Sequence, residues 1–269
     1  CPLLMICANG IDIATPVLWV AVVMGLLIGS FLTVVIDRVP RGASIVQPGS
    51  ACGSCGLELG PLDLVPVVSW LVLRGKCRKC RQPIGAEPII VEIVTATLFT
   101  LMAIHFESSV LVAAFCVFAA GLTGLTVIDV KTQRLPREVS FTVMALGAPL
   151  LAIAALIDNE PRRIYMALIG AAISLAVMGV LYVVSRGGLG DGDVRLSPLL
   201  GMYLGWINPG LALVGLFYGF ILGAVIGVVL MIVGKAGRRT QLPFGPFLAA
   251  GSIVAIFYGQ NLIDVVLGH

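Results

Sequence analysis

The segment Gly188-Leu189-Gly190-Asp191-Gly192-Asp193-Val194-Arg195 sets two carboxylates and three glycines between long apolar stretches. A further carboxylate, Asp129, follows the apolar run 119–128. A carboxylate at or near a bilayer is costly to keep, so it marks a functional site by default. Two of them on separate helices point to a shared proton and to acid–base chemistry on a substrate in the membrane. If Asp129 and Asp193 face each other, charge repulsion leaves one proton on the pair. The ionised member then activates water while the protonated member polarises a peptide carbonyl. The competing reading makes both residues helix caps that point to water beside nearby Lys and Arg. Asp191 is a rival to Asp193 for the active role.

A second constellation is Cys52-x-x-Cys55 and Cys77-x-x-Cys80, with 21 residues between the pairs. Two such pairs read as a four-thiolate tetrahedral zinc site. Gly53, Gly56, Arg78 and Lys79 suit tight knuckles flanked by positive charge. The alternatives are two disulfides or unpaired thiols. A reducing compartment disfavours disulfides. A closed four-ligand site leaves no open position, so its role is structural. The polar stretch that carries it, 37–88, has too little core to fold alone, and a metal supplies the missing stability. Cys1, Cys7 and Cys116 stand apart, and Cys116 reads as a packing residue in an apolar helix.

The elements that position these groups are membrane helices. Hydrophobic residues make up 59% of the 269 and charged ones only 12%, with a mean hydropathy of +1.07. An ordinary soluble domain carries about a quarter charged residues. Continuous apolar runs predict spans near 16–36, 89–106, 109–128, 139–157, 164–185, 194–207, 209–233 and 244–267. The run 194–207 is the shortest and is Gly-rich. Strands of a membrane barrel would alternate instead. The fold class expected is an all-α polytopic membrane protein of about eight spans with a small zinc-binding cytoplasmic insertion. The 32 glycines suit close helix packing.

Cytoplasmic loops carry the excess of Lys and Arg. With the N-terminus outside, the inside loops 37–88, 129–138, 186–195 and 235–242 hold 15 of the 17 Lys and Arg. Arg162 and Arg163 fall in an outside loop. Both acidic sites then lie at the cytoplasmic surface. This bias accounts for the net charge of +3, so no nucleic-acid partner is needed. The first run has no basic segment before it and reads as a permanent span, not a cleaved signal. The chain divides into a first span, 1–36, an insertion, 37–88, and a seven-span core, 89–269.

Glu92 lies a few residues into the second span, where it either reaches the cytosol or bonds a neighbouring helix. Asp37 is expected to pair with Arg38 or Arg41 at the surface. Pro243-Phe244-Gly245-Pro246 reads as a helix start whose loop could present backbone to an extended substrate.

The chain resembles the type IV prepilin peptidases, membrane aspartic proteases of the GxGD class, in their bifunctional leader peptidase/N-methyltransferase form. The resemblance rests on residues from end to end. At the first helix end they are Gly29-Ser30-Phe31-Leu32 and Arg38-Val39-Pro40. The insertion adds the four cysteines, Pro66-Val67-Val68-Ser69-Trp70-Leu71 and Gly75-Lys76-Cys77. Further on come Val91-Glu92, Ile128-Asp129, Leu135-Pro136, Gly188-Leu189-Gly190-x-Gly192-Asp193 and Pro243-Phe244-Gly245-Pro246. Arg195 stands where relatives usually have Lys, Arg137 replaces a common Asp or Asn, and Asp63-Leu64 replaces a usual Asn-Ile. Residues 41–51 form a shorter stretch than in many relatives.

The resemblance implies Asp129 and Asp193 as the catalytic pair, with Asp191 at the variable position. It implies a pilin or pseudopilin precursor as substrate, with a short basic leader followed by an apolar helix in the bilayer. Cleavage would follow a Gly on the cytoplasmic side of a bacterial inner membrane, in pilus assembly or protein secretion. It also implies methylation of the new N-terminus from S-adenosylmethionine, carried by the 37–88 insertion with Gly75 and Lys76 in the associated loop. Two other classes compete: a proton-coupled transporter relaying through Asp129, Asp193 and Glu92, and a non-enzymatic zinc-bearing assembly scaffold. Transporter groups sit near the midplane, often with repeat symmetry; the aspartates lie at one surface.

Overall fold

The computed structural model describes residues 11–186, 188–234 and 242–267. Cys1, Cys7 and nearly all of the basic loop 235–242 lie outside the described residues. The described secondary structure is helical: α1 (Ile11–Arg38), α2 (Val68–Val72), α3 (Glu87–His105), α4 (Ser109–Thr132), α5 (Arg137–Ile157), α6 (Arg162–Ser185), α7 (Asp191–Ile207), α8 (Pro209–Ile232) and α9 (Gly245–Leu267). Two single turns of 3-10 helix, Val39–Arg41 and Pro61–Leu64, belong to the insertion. Seven of the helices are long and apolar enough to cross a bilayer. The eighth expected span corresponds to α7. Its 17 residues give a length of about 26 Å, short of the ~30 Å hydrocarbon core.

The chain forms two compact units, Cys1–Ala120 and Gly121–His269. In the first, α1 lies along α3. Gly25 and Gly29 make this possible. A Cβ on Gly25 would stand 2.5 Å from the Ala96 Cα, and one on Gly29 would stand 2.7 Å from the Glu92 Cα. The two glycines sit four apart on one face, the spacing that lets membrane helices touch backbone to backbone.

In the second unit, α7 is packed by α5, α6, α8 and α9. Leu196, Leu199, Leu200, Tyr203, Leu204 and Trp206 on it are at most 1% exposed. A helix enclosed by protein in this way does not have to match the bilayer thickness. Gly205 of α7 meets Gly170 of α6 so closely that a Cβ would lie 2.8 Å from the Gly170 Cα. The ends of the helices follow local rules. Asn208 caps α8 by accepting the Gly210 N–H at 2.9 Å, with Pro209 at the first position. After α4, Gln133 turns left-handed (φ 51), and Leu135-Pro136 leads into α5.

The packing glycines should be separable from the idle ones by thermal unfolding of the purified protein. Gly29→Leu should destabilise it, by about 1–3 kcal/mol for overpacking. Gly179, which has open space around it, should accept Ala neutrally or with a gain of up to about 1 kcal/mol. Equal melting temperatures for both variants would contradict this packing.

Candidate active site and metal centre

Asp129 sits in the last turn of α4, 5% exposed. Its Oδ2 accepts the backbone N–H of Gly245 at 2.9 Å. Gly245 opens α9, and first-turn N–H groups of a helix have no acceptor within the helix. The carboxylate therefore meets a free donor and the positive end of the helix dipole together. The approach requires glycine, because a Cβ on Gly245 would stand 2.8 Å from that oxygen.

Asp193 lies in the first turn of α7, 6% exposed. Gly190 precedes the helix as an extended N-cap (φ −70, ψ 138). A Cβ there would come within 2.9 Å of the Asp193 Oδ2. Leu135 packs against the glycines beside the two carboxylates. Its side chain is 3.0 Å from a Cβ on Gly192 and 3.3 Å from one on Gly245. Leu135 thus borders both the Gly192 backbone next to Asp193 and the Gly245 backbone whose N–H Asp129 accepts. Asp129 and Asp193 are both buried, on separate helices of the same unit.

Asp191 behaves differently. It pairs with Arg195 at 2.6 Å, and both side chains are more than half exposed. The helix begins at Asp191, so residues two apart point about 200° from each other. One carboxylate turns inward and the other outward. The role of Gly245 as hydrogen-bond donor was not foreseen in the sequence. The signal available was the Pro-Phe-Gly-Pro helix start, expected to lie beside the aspartates and to offer backbone to a substrate. Its first N–H goes to Asp129 instead.

The insertion is built from two matching knuckles. In each, the first cysteine's N–H donates to a carbonyl five residues on: Cys52 to Leu57 at 2.8 Å, and Cys77 to Gln82 at 2.9 Å. The N–H four residues after each returns to it: Gly56 to the Cys52 carbonyl and Arg81 to the Cys77 carbonyl. That fourth position is left-handed in both, Gly56 at φ 68 and Arg81 at φ 57. The four sulfurs lie within 4.8 Å of one another, with Cys52–Cys80 at 3.8 Å and Cys55–Cys77 at 3.9 Å. Tetrahedral zinc with bonds of about 2.3 Å separates its sulfurs by roughly 3.8 Å. Backbone N–H groups of Cys55 and then Ser54 pull the Cys52 thiol down to about 6. Those of Cys80 and Lys79 lower Cys77. Donors aimed at these two sulfurs favour the thiolate that a metal needs. At Cys80 the Gln82 N–H is outweighed by burial and the neighbouring cysteine sulfurs, which push that thiol up to about 11. The four cysteines fit a structural zinc ion, which would hold the two knuckles together.

Other residues also find definite places. Glu92, 6% exposed, accepts the Val67 N–H at 2.7 Å, so it bonds the insertion rather than another helix. Asp37 pairs with Arg41 at 2.8 Å in the open. Arg78 donates to Asp63 through Nε and Nη2 at 3.0 and 2.7 Å. Gly75 and Lys76 lie on the turn that leads into the second knuckle, and Gly75 is left-handed (φ 66).

An all-helical membrane protein with two buried aspartates and a four-cysteine cluster is the class that fold and geometry define. Residues 23–106 match the bacterial peptidase A24 N-terminal domain, and residues 116–232 match the type IV leader peptidase family. A prepilin leader peptidase/N-methyltransferase of Bacillus subtilis (strain 168) is 33% identical over 90% of this chain and 94% of its own length. Proteins of the same description from Pseudomonas aeruginosa and Burkholderia pseudomallei (strain K96243) are 31% and 34% identical. They cover 91% and 89% of this chain and 92% and 84% of their own. No solved structure matches the chain. The chain belongs to the type IV prepilin leader peptidase/N-methyltransferase family, peptidase A24.

Metal analysis of the purified protein should give about one zinc per chain. Cys52→Ser or Cys77→Ser should lose most of it and lower the melting temperature. Metal-free protein whose four cysteines are paired as disulfides in the native membrane would contradict the zinc site.

Proposed function

We propose that this protein is a membrane aspartic endopeptidase that removes the leader from type IV prepilin-like precursors and methylates the new N-terminus. The observation that carries the reading is the pair of buried carboxyls, Asp129 and Asp193, delivered by separate helices to one neighbourhood. Two such groups cannot both ionise cheaply, so the pair holds one proton between them. The ionised carboxylate takes a proton from water as the water oxygen attacks the scissile carbonyl. The protonated carboxyl hydrogen-bonds the carbonyl oxygen as charge develops there. A proton then passes to the leaving amine as the C–N bond breaks. Burial excludes bulk water and strengthens each of these interactions.

Methylation is assigned to the insertion 37–88, which zinc shapes, with Gly75 and Lys76 serving the methyl donor. S-adenosylmethionine, when bound, supplies an electrophilic methyl group on a sulfonium. The division that goes with this reading is 1–36 as a first span, 37–88 as the methylating insertion and 89–269 as the peptidase core. The excess of Lys and Arg in the loops beside both sites supports a multi-pass protein of the bacterial inner membrane, with both sites facing the cytoplasm. The substrates are type IV prepilins or pseudopilins whose apolar segment lies in the bilayer.

Leader release from a prepilin peptide, followed by gel mobility or mass spectrometry, tests the pair. Asp129→Asn and Asp193→Asn should each retain only trace activity, because an amide can neither accept nor pass on the proton. Asp191→Asn should keep most of it. Cleavage that survives Asp193→Asn and is lost in Asp191→Asn would move the active carboxylate to the exposed position. A second assay separates the two activities. Lys76→Ala should impair methylation of a pre-cleaved peptide and leave cleavage largely intact, while either aspartate variant should still methylate. Parallel loss of both activities in every variant would contradict two sites.

A further inference from the structure

Within the first unit, a cavity of about 390 Å³ opens between the two knuckles, α2 and the ends of α1 and α3 nearest the insertion. That volume lies within the range of small-molecule sites, roughly 300–1,000 Å³. Trp70, Leu59 and Ile84 give it flat apolar surface, and Ser30, Thr33 and Ser69 give it hydroxyls. Its ionisable lining is Asp63, Arg78 and Glu92, together with Cys52 and Cys77 of the four-cysteine cluster. Asp63 and Arg78 satisfy each other and the two sulfurs belong to the cysteine cluster, which leaves the carboxyl of Glu92. Among the described residues, Glu92 has one hydrogen-bond partner, the uncharged N–H of Val67. Val67 holds φ 60 to present that N–H, an uncommon conformation for a β-branched residue. A nine-tenths-buried carboxylate without a cation is costly to keep, and a cationic ligand would offset that cost.

We propose that this cavity binds the methyl donor, with Glu92 facing its sulfonium and Trp70 packing against its adenine ring. The inference rests on the methyltransferase reading above. Charge and size agree: S-adenosylmethionine carries one net positive charge, and beyond the Asp63–Arg78 pair the ionisable groups of the lining, Glu92 and the cluster cysteines Cys52 and Cys77, are all acids. Transfer of its methyl group breaks the S–CH₃ bond and forms an N–CH₃ bond on the peptide amine. The sulfur keeps the electron pair as a neutral thioether, and the methylated nitrogen sheds a proton to solvent. The product has lost the charge that Glu92 opposes, so the same contact favours donor over product.

The geometry also gives Gly75 a physical role, although neither it nor Lys76 lines the cavity. A Cβ on Gly75 would stand 2.8 Å from the Trp70 ring, whose Nε1 is fixed by the Gly85 carbonyl at 2.8 Å. Gly75 is a positioning residue that sets the wall of the site.

Calorimetric binding of S-adenosylmethionine and of its demethylated product to the full chain in detergent tests the site without turnover. Wild type should bind one donor per chain, more tightly than product. Glu92→Gln keeps an acceptor for Val67 and removes the charge. It should weaken donor binding on the order of tenfold and leave product binding nearly unchanged. Ser69→Trp, which fills the cavity, should abolish binding of both, with zinc content confirming the fold. Donor affinity unchanged in Glu92→Gln, or retained in zinc-loaded Ser69→Trp, would overturn the proposal. Methylation of a cleaved peptide by wild type in that case would leave the methyltransferase reading standing with its site elsewhere. A wild-type protein that neither binds donor nor methylates would sink both. Weakened binding of the cleaved peptide with unchanged donor affinity would assign Glu92 to the peptide amine instead and overturn the donor contact.

Discussion

The hydrogen bond from the Gly245 N–H to Asp129 is the interaction on which the proposed peptidase site depends. A buried carboxylate at the end of a membrane helix needs a donor, and the apolar helices around it have few to offer. The start of α9 provides one because its first N–H has no partner within the helix. Glycine at 245 lets the backbone come close enough. Proline at 246 has no N–H and suits the first turn. The Pro-Phe-Gly-Pro sequence is thus a device for carrying an unpaired N–H to a carboxylate. It also fixes the end of α4 against the start of α9.

The same logic governs Asp193. Gly190 leaves room for the carboxyl to fold back over the start of α7, and Gly192 leaves room for Leu135. Enclosure of α7 by its neighbours buries Asp193, while Asp191 and Arg195 beside it stay in the open. The glycine-rich segment therefore reflects steric closeness around two acids. The four-cysteine insertion solves a different problem. It has almost no apolar core, and its two knuckles aim four sulfurs at one point. Metal binding and folding of such a segment are one equilibrium.

Much of this was legible in the residues alone. Apolar length located the helices α1 and α3–α9, and paired cysteine spacing located the cluster. Span counting was less secure at α7, because hydropathy does not distinguish a helix facing lipid from one facing protein. Spacing alone left Asp191 and Asp193 as rivals, and only the resemblance selected Asp193. Their separation into exposed and buried groups depends on the helix starting at Asp191, since an extended segment would put residues two apart on the same face. The bond from Val67 to Glu92 was not legible. It joins a loop residue in an unusual backbone conformation to a helix 25 positions on, and no periodicity encodes that. Gly75 could be singled out only by resemblance. Its contact with Trp70 supplies the physical reason.

The central claim is that Asp129 and Asp193 act as one acid–base unit. An experimental structure of the full chain in lipid, bound to a peptide whose scissile bond is replaced by a hydroxyethylene group, tests it most directly. The account predicts the hydroxyl oxygen within hydrogen-bonding distance of both carboxyls, on the side away from Asp191. A hydroxyl bound by one aspartate alone, or held at Asp191, would contradict it.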